Sequence, residues 1–375
     1  MSAPTFDVVI IGAGIVGAAC AAACVTEGLR VCVVEAEIIG GGATAAGMGH
    51  LVVMDDSEAQ FALTHYSRQL WHRLAPDLPR DVEFEKCGTI WVAADEEEMA
   101  VVRQKKEFYE KRGAAAEILD AKSLRNAEPN LRDGLGGGLL VPDDCVIYAP
   151  CAARFLIEWT QSRGAVLQLP RIVAEIKSDS VRLNDGTLVY SRWIINATGT
   201  SAPALTPGID VRKRKGHLLI TDRYPKFVRH QLVELGYLKS AHSFTKDSVA
   251  FNVQPRRTGQ LLIGSSRQFD CDTKEIDSAM LGRMVARADD YMPGLSKLSA
   301  IRSWTGFRAA TPDKLPLIGP WPRQENLLLA TGHEGLGITT SLATARLVVD
   351  HVLGRASEIP SEPYVAARVL EKVHA

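Results

Sequence analysis

The stretch FDVVIIGAGIVGAACAAACVTEGLRVCVVEAE, residues 6–37, restricts the fold more than any other part of the chain. Its opening run DVVII is continuous, apolar and β-branched, the pattern of a strand buried on both faces of a parallel sheet. GIVGAACAAACVTEG is rich in small helix formers and closes on Gly28, which predicts a helix with a glycine at its C-terminal end. RVCVVE then supplies a second strand. Between the first strand and the helix the three glycines take separate tasks. Gly12 makes the tight turn, Gly14 lets the backbone approach a pyrophosphate, and Gly17 lets the helix pack closely on the strand. The free amides at the helix start suit the phosphates. Glu35, at the end of the second strand, can accept hydrogen bonds from a ribose diol and would repel a 2′-phosphate. A glycine triplet alone is a weak signal; strand, glycines, helix, strand and terminal acid in one unit predict dinucleotide binding.

The rest of the composition narrows the class. With 375 residues, 46% of them hydrophobic, the chain can bury a large core and is expected to form two or three folded units. A net charge of -1 leaves no field to attract nucleic acid. The basic run at Arg212, Lys213, Arg214 and Lys215 reads as a solvated face, with a subunit contact as the alternative. No stretch has the roughly 18 uninterrupted apolar residues of a membrane span, and no secretory leader is legible, so a cytoplasmic protein is expected. The seven cysteines include no CxxC pair, which argues against zinc, iron–sulfur or disulfide frameworks, and no metal site is expected. Cys20 and Cys24 read as small core residues.

The residues after the second strand separate NAD from FAD. An NAD domain would continue into another βαβ repeat, whereas here IIGGGATAAGMGH, residues 38–50, is glycine-rich with no strand or helix period and reads as a loop wrapping a long ligand. Downstream, NDG at 184–186 predicts a turn before a strand ending in INATG. NLLLATGHEGLGITTSLATARLVVDHVLG predicts a strand, a glycine turn and a helix starting near Gly337. Strand-like runs GHLLIT, SVAFNV, QLLIGSS and LSAIRSWTGFRA, with a helical stretch after Lys274, fill the region before it.

GAGIVGAACA with Glu35, GGGAT, INATG, GFRAATPDKLPLIGP and ATGHEGLGITTSLATARLV, in this order along nearly the whole chain, resemble the FAD-dependent amino-acid and amine oxidoreductases of the D-amino-acid oxidase, glycine oxidase and sarcosine oxidase superfamily. The resemblance implies an α/β fold. A Rossmann-type FAD-binding domain would be assembled from residues 1–48, 146–210 and 312–375. A substrate domain on a mostly antiparallel sheet would come from 49–145 and 211–311. It places FAD along Gly12, Gly14, Ile15, Val16 and Gly17, then Glu35 and Ala36, then Gly42, Ala43, Thr44, Gly47 and Met48. Further contacts fall at Val173, at Ala197, Thr198 and Gly199, and at Gly332, Gly335, Leu336, Gly337 and Ile338. Some relatives attach flavin through a cysteine before the TPD motif; SWTGFRAATPD has none, so FAD is expected to be noncovalent. Residues 45–64, AAGMGHLVVMDDSEAQFALT, further resemble the flavin subunit of bacterial D-hydroxyproline dehydrogenases, which are multi-subunit enzymes; an electron-accepting partner subunit is implied.

Arg308 matches the position where glycine-oxidase-like relatives grip the substrate α-carboxylate, a task for which the planar guanidinium is suited; a strand arginine paired to a surface acid is the alternative. His50 and His333 flank the expected flavin region and could contact the ring or be core residues. Tyr148, Tyr237, Phe251 and Trp304 are candidates for the pocket wall, against the usual role of strand aromatics in a core. The function expected is oxidation of an amino acid to its imine. The alternatives are an FAD-dependent tRNA-modifying domain, disfavoured by the absence of a basic platform, and a flavin-binding scaffold subunit.

Overall fold

The structure is a computed structural model that describes residues 6–236, 247–269 and 271–370. Two large sheets organise it. In the first, Phe6–Ile11 lies at the centre, pairing in parallel with Val31–Val34 on one side and Leu188–Asn196 on the other. Val166–Gln168 and Gln324–Thr331 extend the parallel array, and Leu317–Trp321 closes one edge antiparallel. The central strand has the apolar continuity predicted for it because both its faces are covered. Val8 and Ile10 point into a cluster with the Ile15–Thr26, Ala149–Gln161 and Gly337–Leu353 helices, and Val9 and Ile11 into one with Val173, Val181 and Val189. Cys20 and Cys24 are fully buried in the first of these, as expected of small core residues.

The second sheet has eight strands in the order Ala300–Ala310, Arg212–Thr221, Leu261–Arg267, Ser248–Pro255, Gln231–Glu234, Thr89–Ala93, Gly137–Val141 and Glu117–Asp120. Among the described residues its pairings are antiparallel except that of Gln231–Glu234 with Thr89–Ala93. Its apolar face, with Ile90, Leu232, Phe251, Val253 and Ile263, packs on Met284 and Tyr291 of the Ser278–Tyr291 helix.

Three expectations need correction. Residues 38–50 are not all loop: Gly42–Ala46 is a short helix, too brief to show a period, and His50–Leu51 pairs with Cys145–Val146. The run 212–215 is a solvated face only in its first half: Arg212 and Lys213 are exposed, but Arg214 and Lys215 are only 4% and 2% exposed. They lie in the Arg212–Thr221 strand, where Arg214 pairs with Glu334 and Lys215 Nζ donates to the Glu275 carbonyl at 2.5 Å. Phe251 is not pocket wall but core, stacked on Tyr291 at 4.6 Å between ring centres, the usual place of a strand aromatic.

Candidate active site

A cavity of about 1340 Å³ runs between the two sheets. That exceeds the roughly 300–1,000 Å³ of ordinary small-molecule sites and leaves room for a dinucleotide and a small substrate. The first sheet contributes the carboxyl ends of its strands, with Gly12 and Gly14, Glu35 and Ala36, and Ala197, Thr198 and Gly199, together with Val173 at the start of Val173–Ile176. Gly12 has φ +102°, and a Cβ there would meet the Ala197 carbonyl oxygen at 2.8 Å, so the turn admits only glycine. Gly17 alone of the expected set is not on the wall; its missing side chain lets the helix sit against the Gly12 carbonyl, as its packing role requires.

The Ile15–Thr26 helix begins at Gly14 with no side-chain cap of its own, and the Ile15 amide is taken by Thr44 Oγ1 at 3.0 Å. Thr44 comes from the Gly42–Ala46 helix, which with Ala43, Gly47 and Met48 forms another part of the wall. The Glu35 carboxylate accepts from the Ala13 amide at 2.7 Å and from the Glu37 amide at 2.8 Å, which fixes it at the strand end. The Gly337–Leu353 helix also starts without a side-chain cap, and Gly332, Gly335, Leu336, Gly337 and Ile338 all border the cavity. Two uncapped helix starts, each with first-turn amides lacking partners within the helix, thus open on one space, and an oriented carboxylate lies beside one of them. These residues fit an elongated ligand with an anionic pyrophosphate at one helix, a ribose at Glu35 and an electron-rich ring edge at the other helix.

A family profile described as "DAO: FAD dependent oxidoreductase" matches residues 7–351. The chain belongs to the FAD dependent oxidoreductase family. It is 27% identical to a glycine oxidase of Geobacillus kaustophilus over 98% of either chain. It is 26% identical to the hydrogen cyanide synthase subunit HcnC of Pseudomonas aeruginosa over 97% of this chain and 96% of that one. The crystal structure of the Geobacillus kaustophilus glycine oxidase superposes with a TM-score of 0.86 at 25% identity, covering 96% of this chain and 98% of that one. FAD is therefore the cofactor, and the mixed α/β fold is that of this family. No cysteine is among the described residues lining the cavity.

The opposite wall of the cavity is the second sheet. Arg308, on the edge strand Ala300–Ala310, reaches across its neighbour: its Nη1 donates to the Ser266 carbonyl, two strands away, at 3.1 Å. It passes over Gly216, where a Cβ would lie 2.5 Å from Nη1, and its Nε is 3.5 Å from where a Cβ of Gly335 would be. Arg308 is thereby placed between the two sheets, next to the glycine turn. His50 also borders the cavity. Burial above all, and then the Arg308 charge, push its imidazole down to about 4, so the ring is neutral at ordinary pH, and Nδ1 is buried without a partner. His333 borders the cavity as well, but its Nε2 is bonded to Thr344 Oγ1 of the C-terminal helix at 3.0 Å, and burial lowers it to about 3. It ties the glycine turn to that helix.

Of the four aromatic candidates Trp304 lines the cavity. Tyr148 does not and stacks instead under the Arg256 guanidinium, while Tyr237 lies outside the described residues. Sequence reasoning passed over Trp91, Gly216, Gln231, Asn252 and Ser265, all on the cavity wall. It also passed over the Arg214–Glu334 ion pair, which holds the glycine turn to the second sheet.

Proposed function

We propose that this flavoprotein oxidises an amino acid at its CH–NH or CH–NH2 bond to the imine. Bound FAD supplies the two-electron acceptor that takes the Cα hydride, and the proton on the substrate nitrogen is released. The observation that carries the reading is the position of Arg308. A guanidinium held between two glycines inside the cavity can grip an α-carboxylate through two parallel charge-assisted hydrogen bonds and so fix the Cα–H direction. The amides at Gly335, Gly337 and Ile338 border the same space beside Arg308 and would add positive potential there. His50, being neutral, can accept an N–H from the substrate amine without adding charge.

The substrates assigned are a cyclic secondary amino acid such as D-hydroxyproline, or glycine, sarcosine or another D-amino acid. The resemblance of residues 45–64 supports the first. We assign residues 1–48, 146–210 and 312–375 to an FAD-binding unit and 49–145 and 211–311 to a substrate unit. Similarity to a protein that is itself a subunit supports transfer of electrons to a partner chain; turnover should then be faster with a dye acceptor than in air.

The test is anaerobic bleaching of the flavin by a panel of amino acids. Arg308→Met leaves a carboxylate unpaired in a mostly dry pocket, a cost of about 2–5 kcal/mol. The second-order rate constant for bleaching should fall about 30-fold or more, each tenfold corresponding to about 1.4 kcal/mol. Flavin should stay bound, and Arg308→Lys should recover part of the rate. Bleaching by amino acids at the parental rate in Arg308→Met would return the arginine to a structural role.

A further inference from the structure

The strand pairing beside Arg308 is irregular at one place. Arg212–Thr221 and Leu261–Arg267 run antiparallel, with Leu219 opposite Ile263 and, beyond the strand end, Lys215 opposite Gln268. Four steps along the first strand therefore face five along the second, the two-against-one count of a β-bulge, a device that re-aims groups beside active sites. Within the bulge the His217 amide donates to the Ser266 side chain, Oγ at 2.9 Å, rather than to a backbone carbonyl. The Ser266 carbonyl is the one that receives Arg308 Nη1.

The His217 side chain fixes the same serine a second time. Its Nδ1 lies 2.9 Å from Ser266 Oγ, and its Nε2 accepts from the Asp277 amide at 3.0 Å. A neutral imidazole that accepts at Nε2 carries its proton on Nδ1, so the ring donates to the serine. Asp277 caps the Ser278–Tyr291 helix, its carboxylate accepting from the Ala279 and Met280 amides. A continuous chain of bonds thus runs from that helix start through His217 and Ser266 to the guanidinium. His217 is fully buried and does not line the cavity, so it can act on a substrate only through its neighbours. Burial above all, then the Lys215 cation on its own strand, hold the ring below its ordinary range; Arg308 on the adjoining strand adds to this and the Asp277 carboxylate opposes it. Its cross-strand partner Thr305 is uncharged. A protonated ring would carry N–H on both nitrogens and meet the Asp277 amide donor to donor.

Resting on the amino-acid reading above, we propose that His217 is a positioning residue for the substrate carboxylate: as a neutral ring it locks Ser266 in the bulge and so holds the carbonyl on which the Arg308 guanidinium rests. Once protonated it loses the Asp277 amide, and the grip of Arg308 loosens. Amino-acid affinity then weakens in acid, below the ordinary imidazole value of about 6.5.

The test is anaerobic bleaching of the FAD-loaded protein by the amino acid that bleaches it fastest, read as half-saturating concentration and limiting rate from pH 7.5 to 4.5. His217→Gln keeps one acceptor and one donor at the tip of its side chain but does not titrate. At pH 7.5 it should stay within threefold of the parental half-saturating concentration. The parental value divided by the His217→Gln value should then rise threefold or more by pH 4.5, every other titrating group being common to both. His217→Met, which offers neither bond, should raise the half-saturating concentration tenfold or more at pH 7.5, with limiting rate and flavin content kept. In an Arg308→Met background the same substitution should add less than threefold, since the side chain it acts through is gone. A ratio independent of pH overturns the proposal, as does a His217→Met loss that persists undiminished without Arg308; the ratio decides alone if His217→Met fails to fold. If no amino acid bleaches the parental flavin, the amino-acid reading falls and this inference with it; if amino acids bleach it and the ratio is flat, only this inference does.

Discussion

Gly216 shows how a residue with no side chain can decide where another one acts. Arg308 sits on an edge strand and contacts the carbonyl of Ser266 only because the intervening strand offers no Cβ at Gly216. A methyl group there would lie within 3 Å of three guanidinium atoms, closer than packed atoms tolerate. Gly216→Ala should displace the guanidinium while leaving the strand intact, since the position's backbone is ordinary extended structure. Amino-acid affinity in the bleaching assay should fall tenfold or more while the flavin content of the purified protein is kept. Equal loss of flavin would show that the substitution disturbs the sheet instead. Glu35 gives the corresponding test on the cofactor side. Its carboxylate is oriented by two backbone amides, and Glu35→Ala should weaken FAD by about 1.5–3 kcal/mol, the worth of a hydrogen bond to a charged group, measured by titrating the apoprotein with FAD.

Among the elements, the turn between Thr331 and Gly337 is held from two directions. Glu334 pairs with Arg214 on the second sheet, and the His333 ring bonds Thr344 of the C-terminal helix. Arg214 is 4% exposed and Glu334 17%, and removing one partner of a buried pair costs about 3–5 kcal/mol. Glu334→Gln should lower the thermal midpoint and weaken FAD retention together; a fall in one without the other would separate the turn from the flavin. The strand, helix and glycines of residues 6–37 were legible in the sequence because apolar continuity and three glycines at fixed positions have a single physical reading. The wall of the second sheet was not. In an alternation such as AFNVQ, residues 250–254, a polar residue is ordinarily the solvent face, and Phe251 is a pocket candidate only against the usual core role of strand aromatics. Here the Ser278–Tyr291 helix covers the aromatic face, and the cavity lies on the polar one, so Asn252 is the wall and Phe251 the core. Sequence alone cannot say which face a distant helix will cover. Arg214 and Lys215 were misread for the same reason: consecutive cations signal solvent, as Arg212 and Lys213 do, unless the strand runs under cover, as it does from Arg214 onward.

For the whole molecule, the two histidines beside the cavity contribute to the response to acid, alongside His65, His217 and His351, which burial also lowers. A free imidazole titrates near 6.5, whereas burial holds His50 near 4 and His333 near 3 in the folded chain. Between pH 6.5 and about 4 the unfolded chain binds protons that the folded one refuses, so stability is full above 6.5 and declines as the pH falls through this window. The loss should reach a few kcal/mol by pH 4, less for His50, whose ring borders the cavity and is partly wetted. Thermal midpoints recorded from pH 7.5 to 4.5 should drop, and the slope should be shallower in His333→Gln; identical slopes would assign the acid sensitivity to other groups. The packing of the first helix against the last has a consequence for biogenesis. Ala18, Ala19 and Cys20 of Ile15–Thr26 share a core with Ala343, Leu347 and Val348 of Gly337–Leu353. The strand, glycines and helix expected to cradle the phosphates are made by residue 37, yet that helix lacks this apolar partner until the ribosome has made about 350 residues. Flavin capture is therefore expected only after translation: a ribosome-bound chain stalled at residue 330 should hold no FAD when released into a flavin-containing lysate, and FAD on such a chain would show that the last helix is not needed for capture.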